Sequence, residues 1–190
     1  EIVESLAVSM RIPNELANLL VQRGITTSNE AARFFNPKLS DLHDPFLMKD
    51  MDKAVERVDE AIRNGEKIMV YGDYDVDGTT AVALVYTFLR QIGHNNLTFY
   101  IPDRYTEGYG VSIKSIDIAA KQGVTLVIAL DCGIKAVEKV EYAKQKGIDF
   151  IICDHHLPGD EIPAAVAVLD PKVEDCHYPF DELSGCGVGF

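Results

Sequence analysis

The sequence predicts an α/β protein: a parallel β-sheet with helices on both faces, preceded by a small helical appendage. Three observations carry this prediction. From residue 67 onward, short apolar runs alternate with amphipathic helical patterns; acidic residues recur where those runs end; and residues 1–66 hold helical spacings and turns instead.

Residues 67–73 (KIMVYGD) have the length and apolarity of a strand. Residues 79–92 place Val82, Val85, Leu89 and Ile92 on one helical face, and Gly93 stops that helix. Residues 97–101 form a second strand closed by Pro102, and residues 112–121 a helix with Ser112 as N-cap and Gly123 beyond its end. Residues 125–130 (TLVIAL) are continuously apolar, as a strand buried on both faces is. A helix over 135–146 ends at Gly147, and strands over 149–153 and 164–169 complete the sheet. Earlier in the chain, 13–23 and 52–64 have helical spacing, and 36–45 (NPKLSDLHDP) is a turn-rich connector. The expected division is a helical appendage over 1–66 and an α/β domain over 67–190, cut short at its C-terminal end. The start at Glu1 without methionine and the apolar, glycine-rich finish over 185–190 lead to the same expectation of an excised piece.

Composition narrows the function. At 190 residues, 47% hydrophobic and 25% charged, the chain reads as globular rather than fibrous or disordered, and it contains no apolar run of about 18 residues and no signal peptide. The expectation is a cytoplasmic protein with no membrane partner. A formal charge of −12 excludes a broadly basic surface, so any nucleic-acid contact must be local. Cys132, Cys153, Cys176 and Cys186 contain no C-x-x-C pair, which points to reduced thiols rather than zinc or disulfide chemistry.

The acidic residues are informative by position. The first strand ends in Asp73-Tyr74-Asp75-Val76-Asp77-Gly78, the third in Asp131-Cys132-Gly133, the fourth in Asp154-His155-His156. Ligand crevices of open α/β sheets lie beyond the carboxyl ends of the strands, so three segments deliver carboxylate and imidazole to one place. So many carboxylates repel one another unless cations neutralise them. Asp73, Asp75 and Asp77 share one side if their backbone is extended. A calcium loop is excluded because its twelfth position is Leu84. Asp75-Val76-Asp77-Gly78-Thr79 also fits the D-x-D-G-T string of haloacid-dehalogenase-type phosphatases, but that mechanism has no use for adjacent histidines. On an extended strand end His155 and His156 point to opposite sides, which makes His155 the ligand, directs His156 to a substrate phosphate and leaves Asp154 to orient an imidazole. Mixed oxygen and nitrogen donors suit Mn2+, with Mg2+ as the alternative.

In order, Tyr71-Gly72-Asp73-Tyr74-Asp75-Val76-Asp77-Gly78, Asp131-Cys132-Gly133 and Asp154-His155-His156 resemble the successive motifs of the DHH phosphoesterase superfamily. Leu42-His43-Asp44-Pro45-Phe46, Ile101-Pro102-Asp103-Arg104 with Gly108-Tyr109-Gly110, and Ser184-Gly185-Cys186-Gly187-Val188 are similar to its bacterial single-strand-specific 5′→3′ exonuclease branch. The resemblance implies a two-metal enzyme of DNA repair and recombination that hydrolyses phosphodiester bonds of single-stranded DNA. It implies Asp75, Asp77, Asp131, Asp154, His155 and His156 as the catalytic set. Asp75 and Asp77 would each bind one of two Mn2+ ions, Asp131 would bridge them, His155 would complete the second site, and Asp73 is an additional ligand. Relatives of pyrophosphatase type have a histidine where this chain has Tyr71. The superfamily places a further metal-binding aspartate downstream of the Asp-His-His triplet, beyond residue 190, so the expected metal site is incomplete and the expected activity of these residues alone is weak. Single-strand-binding protein and a helicase are implied partners of the longer protein.

Arg104 offers a planar fork to phosphate oxygens, Gly108 and Gly110 let backbone amides approach a substrate, and Tyr109, like Tyr105, offers a ring for base stacking. Ser184 and Gly185 begin a stretch that reads either as a phosphate cradle or as a plain turn. Together with His156 these are the expected substrate contacts. Two other functions share the motifs: a phosphodiesterase of cyclic dinucleotides or short oligonucleotides, and a non-catalytic replication scaffold. The Arg104 to Gly110 stretch favours the exonuclease.

Overall fold

The computed structural model describes residues 1–190. Its contacts separate two units, Glu1–His43 and Asp44–Phe190.

The first unit holds helices α1 (Ile2–Met10), α2 (Asn14–Gln22) and α3 (Ser28–Phe35) around a small core of Leu6, Ala7, Ala17, Leu20 and Ala31. The spacing over 13–23 identifies α2; the flanking helices carry weaker signals. What starts α3 is a capping box: Thr27 Oγ1 accepts from the Glu30 N–H, and the Glu30 carboxylate accepts from the Thr27 N–H at 2.9 Å. The turn-rich connector contains one 3₁₀ turn at Leu39–Asp41 and another at Pro45–Leu47.

In the second unit, α4 (Met51–Asn64) precedes β1 (Ile68–Gly72), α5 (Val76–Gln91), β2 (Leu97–Tyr100) and α6 (Ile113–Lys121). Then follow β3 (Leu126–Leu130), α7 (Val137–Gln145), β4 (Asp149–Cys153), β5 (Ala167–Leu169) and the short α8 (Gly185–Gly189). The five strands pair in the order β2-β1-β3-β4-β5, and every pairing is parallel. Alternate strand residues feed two cores, as a period of two requires. Met69, Tyr71, Val127, Ala129, Phe150 and Ile152 face α6 and α7, whereas Ile68, Val70, Leu126, Ile128, Leu130 and Ile151 face α4 and α5. Each such buried aliphatic side chain contributes roughly 1.5–3 kcal/mol, a reserve against which poorly satisfied groups at the sheet edge are set.

Two local expectations change. Helix α4 packs with the sheet rather than with the appendage, because Ala54 and Ala61 are buried in the core that also holds Ile68 and Val70. By contacts the chain divides after His43. Helix α5 starts at Val76 rather than at 79, because Asp75 is its N-cap and accepts from the N–H groups of Asp77 and Gly78 at 3.0 Å each. Asp73, Asp75 and Asp77 consequently do not lie along one side of an extended segment: Asp73 closes the strand, Asp75 caps the helix and Asp77 sits in its first turn. No helix is long and apolar enough to cross a membrane.

Candidate metal centre

The register aligns Gly72 with Leu130, Leu130 with Cys153, and Cys153 with Leu169. The next residue of each strand is an aspartate, so Asp73, Asp131, Asp154 and Asp170 form one row along the carboxyl edge of the sheet. All four are buried, none more than 2% exposed. Carboxylates so placed lose hydration and require donors or cations in its stead.

The row is unevenly satisfied. Asp154 is fully engaged: Oδ2 accepts from the Ile134 N–H at 2.9 Å, and Oδ1 accepts from the His155 N–H at 2.8 Å and stands 2.7 Å from His156 Nδ1. Asp73 Oδ1 accepts from the Tyr74 N–H at 2.6 Å, but Oδ2 has no partner. Asp170 Oδ1 accepts from the Lys172 N–H at 2.8 Å, and its Oδ2 likewise has none. Asp131 sits at φ 61°, a left-handed conformation that stores backbone strain and occurs preferentially at functional turns. Its Oδ1 is buried without a hydrogen-bond donor, although His155 Nε2 lies 3.1 Å away.

The second layer comes from helix termini. Asp77 Oδ2 stands 3.9 Å from His155 Nε2, and Asp75 lies near enough to Asp131 for its charge to act on that carboxyl. Asp77 is held from behind: its oxygens accept from the Gly185 and Cys186 N–H groups at 2.7 Å each. Two glycines permit this crowding. A Cβ on Gly78 would stand 2.5 Å from the Asp73 backbone, and one on Gly185 would stand 2.3 Å from Asp131 Oδ1.

Electrostatics follow from the packing. Burial, and after it the charges of Asp77 and Asp75, push the Asp131 carboxyl up to about 7. Burial pushes Asp170 up to about 6 and raises Asp73. Asp75 is held below the usual range, chiefly by the Gly78 N–H at the helix N-terminus. For His156, burial acts downward, but the Asp154 carboxylate on Nδ1 outweighs it and holds the imidazole above its ordinary value. Cys132 and Cys153 are buried thiols, raised by burial, the latter to about 12, and serve as small core residues.

These residues fit a divalent cation. Two donors each about 2.1 Å from a small dication and at a right angle stand about 3 Å apart, close to the spacing of Asp131 Oδ1 and His155 Nε2. The orphaned Asp131 oxygen supplies lone pairs, and a cation would offset the burial and, after it, the repulsion that keep Asp131 up. Donor atoms of Asp131, His155 and His156 lie within 4.8 Å of one another. The adjacent histidines therefore do not point to opposite sides: β4 ends at Cys153, the chain bends, and the two rings meet at 4.7 Å and 63°.

Of the expected substrate contacts, Tyr109 reaches the rim, its hydroxyl 3.4 Å from Asp75 Oδ2 and its ring 4.9 Å from that of Tyr74. The Arg104 guanidinium carbon lies 5.3 Å from the Tyr74 ring centre. Gly108 and Gly110 adopt left-handed φ of 75° and 77° on either side of Tyr109. Gly185 differs from the expected cradle, since its N–H is engaged by Asp77, and the Ser184 hydroxyl caps α8 by accepting from the Gly187 N–H. Sequence reasoning passes over Asp170, which the strand-end rule marks as clearly as the others. It also passes over Lys135, which lines a cleft of about 240 Å³ with Tyr109, Asp131, Asp154 and His156; a lone lysine in a helix start carries no signal by itself.

The profile of the DHH family, N-terminal domain, matches residues 67–190. The single-stranded-DNA-specific exonuclease RecJ of Bacillus subtilis is 44% identical over 188 residues, covering 99% of this chain and 24% of that protein. RecJ of Escherichia coli is 37% identical, covering 100% and 32%. Among solved structures, an exonuclease RecJ bound to manganese superposes with a TM-score of 0.68 at 31% identity over 75% of this chain and 36% of that one. RecJ of Thermus thermophilus in complex with Mn2+ gives 0.74 at 25% identity over 100% and 26%. The chain thus spans about a quarter to a third of the length of the named relatives it matches.

Proposed function

The chain belongs to the DHH family, and from that premise we propose that it is the metal-binding part of an enzyme that hydrolyses phosphodiester bonds, removing nucleotides from the 5′ end of single-stranded DNA. The observation that carries the reading is the meeting of Asp75, Asp77, Asp131 and His155 around a buried Asp131 oxygen that lacks a donor.

On this reading Asp75, Asp77, Asp131 and His155 hold two divalent cations, Mn2+ or Mg2+, with Asp73 and His156 at the margin. When bound, such ions polarise a phosphoryl oxygen and make water acidic enough to attack near neutral pH. The chain's own residues do the rest. Asp154 takes the Nδ1 proton of His156 into a hydrogen bond, which leaves Nε2 directed away from it and raises the imidazole's affinity for a second proton. His156 is thereby suited to hydrogen-bond a phosphate oxygen. Asp77 is kept in place by two amides at the start of α8, and with its carboxylate so fixed it would be one of the residues to hold a cation. Arg104, beside Tyr74, and Lys135, in the cleft with Asp131 and His156, supply positive charge near the acids, so local field rather than the net charge of −12 attracts the strand. Tyr109 and Tyr74 offer stacking faces that read no particular base. The same reading puts the protein in the cytoplasm, with single-strand-binding protein and a helicase as partners of the longer protein.

The test compares 5′- and 3′-labelled single-stranded oligomers digested with Mn2+ by the longer protein and its Asp131→Ala variant. Release of label from the 5′ end first, and its loss in the variant, is the expected result. Undiminished turnover by the variant, or preference for cyclic dinucleotides over long strands, overturns the assignment.

A further inference from the structure

We propose that Glu107 is a positioning residue, a buried carboxylate that fixes the loop over 103–112 so that Arg104 and Tyr109 stand at the carboxylate rim and meet the nucleotide being cut. The proposal deepens the exonuclease reading and rests on it for the identity of the substrate.

The loop is exposed, with Tyr105 at 93%, yet the Glu107 side chain is only 6% exposed. It collects donors from three elements. The Tyr100 hydroxyl, at the end of β2, lies 2.9 Å from Oε1 and 2.8 Å from Oε2; the Asp103 N–H donates at 3.2 Å. From the α6 side, the Ser112 hydroxyl donates at 2.9 Å and Lys114 Nζ at 3.3 Å. Burial acts to raise the carboxyl, but these donors outweigh it and hold it below the usual range, so it is ionised and fully engaged. A loop carboxylate satisfied on every side, and touching none of the metal-site groups, serves orientation rather than chemistry.

The contacts around it show what is oriented. Tyr71 is turned toward this loop: its hydroxyl donates to the Gly110 carbonyl at 2.8 Å, and its ring stacks on Tyr100 at 5.6 Å and 10°. Asp103 caps the loop's first turn by accepting from the N–H groups of Tyr105 and Thr106. Glu107 sits between these two fixed points. With the left-handed glycines on either side of it, Tyr109 then faces Asp75, and Arg104 faces the Tyr74 ring.

The test uses a 5′-phosphorylated phosphorothioate oligothymidylate with Mn2+, binding being followed by anisotropy. Glu107→Ala is expected to weaken binding about tenfold, since small misplacements of a positioning group carry losses of that order or more. Mn2+ affinity, measured by calorimetry, is expected to stay within about twofold because no metal-site group touches Glu107. Glu107→Gln, which keeps an acceptor, is expected to recover most of the loss. On an Arg104→Ala/Tyr109→Ala background Glu107→Ala is expected to add less than about twofold, because it acts through those two residues. An unchanged oligomer affinity, or a loss that adds in full on that background, overturns the proposal. These binding measurements use the longer protein; if it binds no oligomer when unsubstituted, the exonuclease reading fails, and amide hydrogen exchange over 104–110 decides the clamp separately: faster exchange in Glu107→Ala, and in Glu107→Gln to a lesser degree, supports it, and unchanged exchange in both overturns it.

Discussion

The two edges of the sheet hold acids in opposite ways. At the amino edge, Arg57 of α4 donates to Glu66 at 2.7 Å and to Asp149 at 2.8 Å, and the Thr125 hydroxyl donates to Glu66 at 2.6 Å. Every carboxylate there has a cationic or hydroxyl partner, and Glu66 is held below the usual range, first by Arg57. At the carboxyl edge, Asp73, Asp131 and Asp170 each keep a buried oxygen without a donor, and all three are pushed up. Acids that serve the fold come with partners; acids that serve a ligand leave a place for it. For these residues burial and the direction of the shift agree: the acids left without a donor are the fully buried ones, and theirs are the raised values.

The comparison breaks most visibly if the carboxyl edge is neutralised. Asp131→Asn removes the ionisation that burial and two neighbours oppose, so the metal-free chain is expected to gain stability on the order of 2 kcal/mol. The same change is expected to weaken Mn2+ binding by at least about a hundredfold, because a ligand rather than its support is lost. Thermal melts with and without Mn2+ check both, and a variant that is less stable yet still binds Mn2+ would place Asp131 in the class of Glu66. The mirror experiment acts at the amino edge: Arg57→Met strands two carboxylates and is expected to cost about 2–3 kcal/mol in denaturant unfolding, with Mn2+ affinity unchanged.

The edges also differ in their response to pH. Asp131 and Asp170 have raised folded-state values, so the stability they contribute is present below about 4 and is lost as pH rises through about 6 and about 7. Glu66 has a lowered value and contributes stability above its ordinary range that is lost on acidification. Metal-free melting temperature is therefore expected to decline between pH 5 and 8, saturating Mn2+ to abolish the decline, and Arg57→Met to lessen the acid-side loss. A melting temperature that rises steadily over that interval without metal would contradict the assignment. The smallest expected effect is that of Lys135→Ala, which leaves metal binding intact and lowers the salt dependence of oligomer binding by the equivalent of one single-strand phosphate contact, a slope change of about 0.7.

Much of this was legible in the residues. Apolar runs of strand length, separated by helical spacing and glycine stops, locate all five strands to within a few residues and imply parallel pairing. The strand-end rule then gathers Asp73, Asp131 and the Asp154 triplet on one edge. What escaped reading depends on contacts between distant segments. Asp75 works as a helix cap, which spacing alone does not distinguish from an extended ligand. Asp77 is held by amides more than a hundred residues away, at Gly185 and Cys186. Asp170, followed by Pro171, resembles a turn residue until the register sets it beside Asp154. Glu107 looks like one more exposed loop acid, and only the donors of β2 and α6 reveal it as buried.

Titration of the chain with Mn2+, the free ion counted by electron paramagnetic resonance, tests most directly whether the carboxyl edge is built for cations. Uptake by the unsubstituted chain and by Arg57→Met, together with its loss in both Asp131→Asn and His155→Ala, is the expected result. Equal uptake by all four proteins would mean that Asp131 and His155 meet for some purpose other than holding a metal.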